Sequence, residues 1–294
     1  MVKRLENYKF LCLNGLFLRN NFKVCESCKQ GNFLHGVAHR CYQQSLFNSL
    51  GIAMGEYLHR RWKTVIKYSD MFLATSHFVK SKFEEAGFPG DIINVLPNFL
   101  DFEPLEKTVS PADYVIYVGR LSREKGLTAL LKAFKGLPDL KLVMLGEGPQ
   151  ELELKRFVRD NDMQNVEFQG FVDGEAKRNI IQKALFLVFP SECYESFGYT
   201  IIEGYGCGVP VIASDLGGAR ELVTEGETGY LFQPGDPEDI QRKVNRMLED
   251  RDKLLQMKEN ALALAKEKYT RETGCKNLAA LFESLKSNGQ KNAT

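Results

Sequence analysis

No stretch of this sequence approaches the roughly 18–20 consecutive apolar residues needed to span a bilayer. Residues 1–10 are charged and lack the apolar core and small-residue cleavage site of a secretory leader, so the sequence predicts a protein that stays in the cytosol. Internal repeats and low-complexity segments are absent. The seven cysteines form an odd set, which together with a cytosolic setting argues against a disulfide framework. A complete dinucleotide-binding fingerprint is also missing. Gly146-Glu147-Gly148-Pro149 begins like one, but the last glycine of the pattern is replaced by Glu151.

What is present is an ordinary globular mixture, 44% hydrophobic and 26% charged over 294 residues, long enough for two domains. The formal charge of +1 conceals an asymmetry. Residues 1–67 hold eleven Lys and Arg against three Glu, a balance of +8, which leaves −7 on the remaining 227 residues. A basic segment joined to an acidic body suggests an anionic partner for the basic part, the alternative being a solvated face. Within that segment residues 57–67 read as a basic amphipathic helix, with Leu58, Trp62, Val65 and Ile66 on one side, suited either to packing on the domain's own sheet with only the charges facing out or to the inner face of an anionic membrane. Cys12, Cys25, Cys28 and Cys41, spaced x12, x2 and x12, offer four thiols for a structural zinc ion, with His39 as a spare nitrogen ligand. Reduced packing cysteines are the plainer reading. A zinc-dependent nucleic-acid module lacks both a finger spacing and a recognition helix, so no nucleic-acid partner is expected.

From about residue 113 short apolar runs alternate with amphipathic stretches, the pattern of βα units around a parallel sheet. Strands are expected over 114–118, 140–145, 166–168, 185–189 and 209–213. Helices are expected over 127–134, up to residue 160, over 175–183, 199–205, 238–249, 252–268 and 271–287, with a frayed tail over 288–294. The first hundred residues are less regular, with a helix over 45–67, strands over 71–74 and 92–96 and a helix over 76–86. The organisation so read is a first domain over 1–100, a linker over 101–112, a second domain over 113–270, and a C-terminal helix and tail over 271–294.

Three loops lie at the carboxyl ends of predicted strands, where open α/β sheets bind ligands. In Gly119-Arg120-Leu121-Ser122-Arg123-Glu124-Lys125-Gly126, an arginine able to fork onto phosphate and a lysine stand before a helix N-terminus. Gly146-Glu147-Gly148-Pro149 is the second. In the third, 190–198, Glu195 precedes Glu203 by eight positions, two carboxylates suited to sugar and ribose hydroxyls. The sequence is read as lacking an Asp-x-Asp metal motif, so Arg120 and Lys125 are expected to do the work a metal does elsewhere.

Taken together, G-R-L-S-R-E-K-G, G-E-G-P, P-S-x3-E-S-F-G-Y-T-x2-E and A-S-D-L-G-G resemble the family 4 retaining glycosyltransferases, closely over 114 to about 236 and more loosely from residue 7 to the end. The resemblance implies an α/β fold of the GT-B type, two Rossmann-like doubly wound domains, the first incomplete. It implies a hexosyltransferase that moves a sugar from a UDP- or GDP-sugar to a glycan or lipid-linked acceptor without a catalytic metal. By the same resemblance Arg120 and Lys125 hold the donor diphosphate, Glu195 contacts the transferred sugar and Glu203 the ribose. The amides of Phe197, Gly198 and Tyr199 support the β-phosphate, and Gly119, Gly146, Gly148, Phe171 and Val172 line the nucleotide pocket. The leaving nucleoside diphosphate carries negative charge, which preorganised cations stabilise. Asn7-Tyr8, Cys25-x2-Cys28 and His39-Arg40-Cys41-Tyr42 resemble the middle of the family's acceptor domain. Glu6 stands where the family has histidine, and the glycine-rich first βα units are missing, so a truncated chain is expected. The alternative is an inactive fragment that only binds nucleotide sugar.

Overall fold

The computed structural model describes residues 1–19 and 22–291, with side chains to residue 285. The chain divides into two units. Met1–Asn98, Cys193–Phe197 and Gly274–Thr294 form the first, and Phe99–Glu192 with Gly198–Thr273 form the second.

The first unit is built on three parallel strands, β1 (Val2–Leu5), β2 (Met71–Ala74) and β3 (Ile93–Val95), in the order β1-β2-β3. Between β1 and β2 run α1 (Leu34–Ala38), α2 (Leu46–Arg61) and α3 (Thr64–Lys67), and α4 (His77–Glu85) links β2 to β3. Serines open the two longer helices: Ser45 Oγ accepts from the amide of Asn48 and Ser76 Oγ from that of Val79. Leu5, Phe72, Ala74, Val79, Phe83 and Phe88 share one apolar cluster, with the Phe83 and Phe88 rings edge to face at 5.1 Å.

The second unit holds six parallel strands: β4 (Tyr114–Val118), β5 (Lys141–Leu145), β6 (Val166–Gly170), β7 (Leu187–Phe189), β8 (Val211–Ser214) and β9 (Gly229–Phe232). Their order is β6-β5-β4-β7-β8-β9, the doubly wound arrangement of a Rossmann sheet, with the direction of winding reversing between β4 and β7. The covering helices are α5 (Leu127–Lys135), α6 (Glu151–Asp160), α7 (Gly174–Ile181), α8 (Tyr199–Gly206), α9 (Pro237–Leu248) and α10 (Arg251–Lys268). Sequence dictates their placement. Leu127, Leu130, Leu131 and Phe134 recur at helical spacing in α5, and all four are buried. Asp236 caps α9 by accepting from the amides of Glu238 and Asp239, with Pro237 in the first turn. The last helix, α11 (Arg271–Lys291), returns to the first unit, where Leu278, Leu281 and Leu285 pack on Met71, Leu73 and Leu96.

Residues 99–112 have no regular structure but are tied into the second unit. Leu100 is fully buried and its amide donates to the Tyr269 carbonyl at 2.8 Å. The Leu105 amide donates to the carbonyl of Gly206 at 2.9 Å.

Most expected elements are present within two or three residues, and the departures have physical causes. β1 was not expected because its sequence, VKRL, is half basic and offers no apolar run. β9 was missed because GYLF is short and opens with glycine. The helix expected over 45–67 is broken after Arg61: Lys63 takes a left-handed conformation, φ 50°, and α3 starts anew. The single amphipathic face expected over 57–67 is therefore not formed. Val65 and Ile66 pack against the first unit's core, whereas Leu58 and Trp62 stay exposed. Fraying was expected from residue 288, but α11 runs to Lys291, and residues 292–294 of that expected tail lie outside the described residues.

Candidate functional site

The carboxyl ends of β4, β5 and β6 open into a cavity of about 340 Å³ in the second unit. Its lining includes Gly119 and Arg120 after β4, Gly146 and Glu147 after β5, and Phe171, Val172 and Asp173 after β6. Lys177 of α7 and Thr200 and Glu203 of α8 complete the wall. The loops are laced by backbone hydrogen bonds. Gly119 N–H donates to the Leu145 carbonyl at 3.0 Å, Leu121 N–H to Glu147 at 2.9 Å, and Gly146 N–H to Gly170 at 2.7 Å. Such close approach requires glycine. A Cβ on Gly146, whose φ is +135°, would overlap the Gly119 carbonyl oxygen, and one on Gly148 would overlap the Leu121 backbone.

Polar groups converge at the α8 side. Glu203 is 5% exposed and its Oε1 accepts from Lys177 Nζ at 2.6 Å. Asp173 lies 3.5 Å from the same ammonium. Burial pushes the Glu203 carboxyl above its ordinary value, and the bond from Lys177 offsets only part of that. Burial alone would lower the Lys177 ammonium, but its bonds to Glu203 and its attraction to Asp173 hold it above its usual value. The Tyr199 hydroxyl is pushed up to about 12 by burial and then by the charges of Asp101 and Glu203, and it donates to Asp101 Oδ1 at 3.3 Å. Arg120 is exposed at the cavity and its guanidinium makes no ion pair among the described residues. A buried carboxylate with a bonded ammonium can bind hydroxyls, and an unneutralised guanidinium beside a backbone floor can bind phosphate.

Of the residues singled out in the sequence, the cavity brings together Gly119, Arg120, Gly146, Phe171, Val172 and Glu203. Lys125, Gly148, Glu195, Phe197, Gly198 and Tyr199 are not among its lining residues. Lys125 is half-buried in the single 3-10 turn Arg123–Lys125. Glu195 and Phe197 belong to the segment Cys193–Phe197 of the first unit. There the Ser196 carbonyl accepts from Thr75 Oγ1 and Ser76 Oγ, both at 2.8 Å, and the Tyr194 ring meets Phe78 at 4.8 Å. Glu195 Oε1 lies 3.7 Å from Cys193 Sγ. Lys177, Asp173 and Thr200 escaped the sequence reading. The only signal for Lys177 is its place one turn into the helix that follows a strand-end loop. Two Asp-x-Asp spacings do occur in the chain, Asp160-Asn161-Asp162 closing α6 and Asp250-Arg251-Asp252 opening α10, and neither lines the cavity.

In the first unit Cys12, Cys25, Cys28 and Cys41 border one small cavity together with His35 and His39. Among the described residues no three such groups already stand in position to hold an ion. No described helix is long and apolar enough to cross a membrane.

Residues 104–263, more than half of the chain, match the family model for glycosyl transferases group 1, and the chain belongs to that family. It is 27% identical over 217 residues to an uncharacterized glycosyltransferase of Methanocaldococcus jannaschii, covering 74% of this chain and 60% of that protein. To the D-rhamnosyltransferase of Pseudomonas aeruginosa it is 33% identical over 159 residues, 53% of this chain and 42% of the relative. The chain thus spans about half the length of these curated relatives. Among solved structures, Anabaena HepE in complex with UDP and glucose superposes with a TM-score of 0.68 at 24% identity, covering 84% of this chain and 69% of that one. The likeness shows the fold, parallel-sheet Rossmann-like architecture of the GT-B type.

Proposed function

We propose that this chain acts in a retaining family 4 glycosyltransferase, its second unit binding a UDP- or GDP-sugar whose sugar passes to a glycan or lipid-linked acceptor. The observation that carries the reading is the β4–β6 cavity, with a glycine-backbone floor, Arg120 at its opening and the Glu203–Lys177 pair in its wall. In this reading Arg120 and Lys125 hold the diphosphate and offset the charge that develops on the leaving nucleotide. Glu203 accepts from the ribose hydroxyls, Glu195 contacts the sugar, and the amides of Phe197, Gly198 and Tyr199 face the β-phosphate. Residues 113–270 then form the donor-binding domain. The UDP and glucose held by Anabaena HepE, a protein of the same fold, support a nucleotide-sugar donor. Calorimetry with UDP and with free uridine tests it. Arg120→Ala should weaken UDP binding while leaving uridine nearly unchanged, and in an active protein should lower turnover by about 10²–10³. No heat with UDP, GDP or their sugars for the folded wild-type chain defeats the reading.

The acceptor side of the same reading includes an anionic membrane at the inner face. Phe47, Met54 and Trp62 are each more than 60% exposed, and Arg61, Lys63 and Lys67, exposed as well, adjoin or follow Trp62 in the chain, so the stretch offers both apolar insertion and headgroup attraction. Arg60 has another task, its guanidinium donating to the carbonyls of Lys29 and Ala86. Sedimentation with phosphatidylglycerol vesicles should therefore fall in Arg61→Glu plus Lys63→Glu and at high salt, while neutral vesicles bind little. Equal sedimentation with both lipids, or with neither, removes the membrane from the reading.

A further inference from the structure

The thiol-bordered cavity of the first unit takes no part in donor binding as proposed above. Six of its nine lining residues are cysteine or histidine. All four cysteines there are free thiols; Cys12 and Cys28 are buried and Cys25 and Cys41 half-buried.

The turn around Cys12 is closed by main chain, the Gly15 amide donating to the Cys12 carbonyl at 3.0 Å and the Leu16 amide to Asn14 Oδ1 at 3.0 Å. Arg19 Nε donates to Cys25 Sγ at 3.2 Å. A neutral thiol is a weak acceptor and gains little from such donors, whereas a thiolate gains much. Four adjacent thiolates repel one another unless a cation lies among them.

The local architecture also needs a staple. Between β1 and α2 the only described helix is the five-residue α1, and the apolar cluster beside the thiol cavity consists of Leu13, Cys28 and Phe33 with Ala53 of α2. Five non-glycine residues of this stretch, Phe17, Phe22, Arg40, Gln43 and Gln44, have positive φ. Backbone held in such conformations persists only when its surroundings over-determine it. So small a core seldom does that without a cross-link or a metal.

We propose that Cys12, Cys25, Cys28 and Cys41 bind one structural zinc ion as a closed tetrathiolate site. Zn²⁺ displaces the four thiol protons to solvent, and the resulting complex carries a charge of −2, which Arg19 beside Cys25 stabilises. The thiols here turn to local partners, Cys12 to Asn14 Oδ1 at 3.1 Å and Cys25 to Ser27 Oγ at 3.3 Å. Rotation about each Cα–Cβ bond redirects the sulfur into the shared cavity. His35 and His39 are both exposed, which leaves the four cysteines as the inner set. Two disulfides could tie the same residues, but would leave Arg19 without an anionic partner.

The test is elemental analysis of the full chain purified under reductant without chelator. One zinc per chain is expected, with Co²⁺ replacement giving the intense visible bands and sulfur-to-metal charge transfer of a tetrahedral thiolate site. Cys25→Ser and Cys41→Ser should lose most of the metal, whereas Cys275→Ser, exposed on α11, should keep it. Should the cluster variants fail to fold, the Co²⁺ spectrum of the wild-type chain decides alone. A metal-free protein with four titratable thiols, a mass lower by the hydrogens of a disulfide, iron with sulfide, or unchanged zinc in a soluble Cys25→Ser variant each overturn the proposal. None of these readouts depends on nucleotide binding.

Discussion

Lys258 of α10 is wholly buried, and its Nζ donates to the Ala184 carbonyl at 3.0 Å and forms no ion pair among the described residues. Burial lowers its pKa to about 8. Between that value and the ordinary 10.5 the unfolded chain binds the proton and the folded chain does not, so this group's contribution to stability rises with pH. Comparing wild type with Lys258→Met isolates it. The stability of the wild type relative to the variant should rise by about 2 kcal/mol from about pH 7 to about pH 9.5, as read from urea unfolding. A pH-independent gap would mean that the ammonium is hydrated or paired in solution. At this scale the sequence was half legible. Arg120, Glu203 and the glycines stood out because loops at strand ends concentrate charge and glycine. Lys177 did not, because its meaning comes from the 2.6 Å bond to Glu203 on another helix, a partner that no local pattern reveals.

At the scale of elements, periodicity found the helices and buried strands whose apolar faces are long, such as α5 and β5, and failed where tertiary context decides. β1 is a strand because Val2 to Leu5 pair in register with Met71 to Ala74, although half of its residues are basic. The α2–α3 break is the clearest case, since Tyr57 to Lys67 has sound helical spacing and Lys63 alone leaves the helix. A left-handed residue with a side chain costs about 1 kcal/mol relative to glycine. Lys63→Gly should therefore stabilise the protein or leave it unchanged in thermal unfolding, while Lys63→Val, β-branched, should destabilise it by about 1–2 kcal/mol. If glycine there destabilises as it does inside a helix, the stretch is continuous in solution.

For the whole molecule, the two expected domains were read from composition and loop placement, and the return of Cys193–Phe197 and α11 to the first unit has no local signature. Those segments are recruited by partners distant in sequence, Thr75 and Ser76 in one case and Met71 and Leu73 in the other. Residues 99–112 look like a linker by composition because extended, proline-bearing chain reads the same whether it hangs free or is bound. Their contacts make a prediction. A polypeptide of residues 99–273 should be more stable than one of 113–273 by about 2–4 kcal/mol, since the shorter one exposes the site of the fully buried Leu100. Equal denaturation midpoints would show that the strap contributes nothing on its own.

The floor of the β4–β6 cavity is main chain against main chain, with Gly146 lying on the Gly119 carbonyl and Gly148 on the Leu121 backbone. Such a floor has an alphabet of one letter. Under random substitution those positions should be nearly invariant whatever ligand is selected, because any added carbon prises two strand ends apart. The walls obey no such constraint: Phe171 is 70% exposed, and Glu147 and Thr200 present side chains that can change without moving the sheet. A lineage built on this frame can trade one small molecule for another by rewriting a few wall residues. A library meant to retune the pocket should spend its diversity there and hold the glycines fixed.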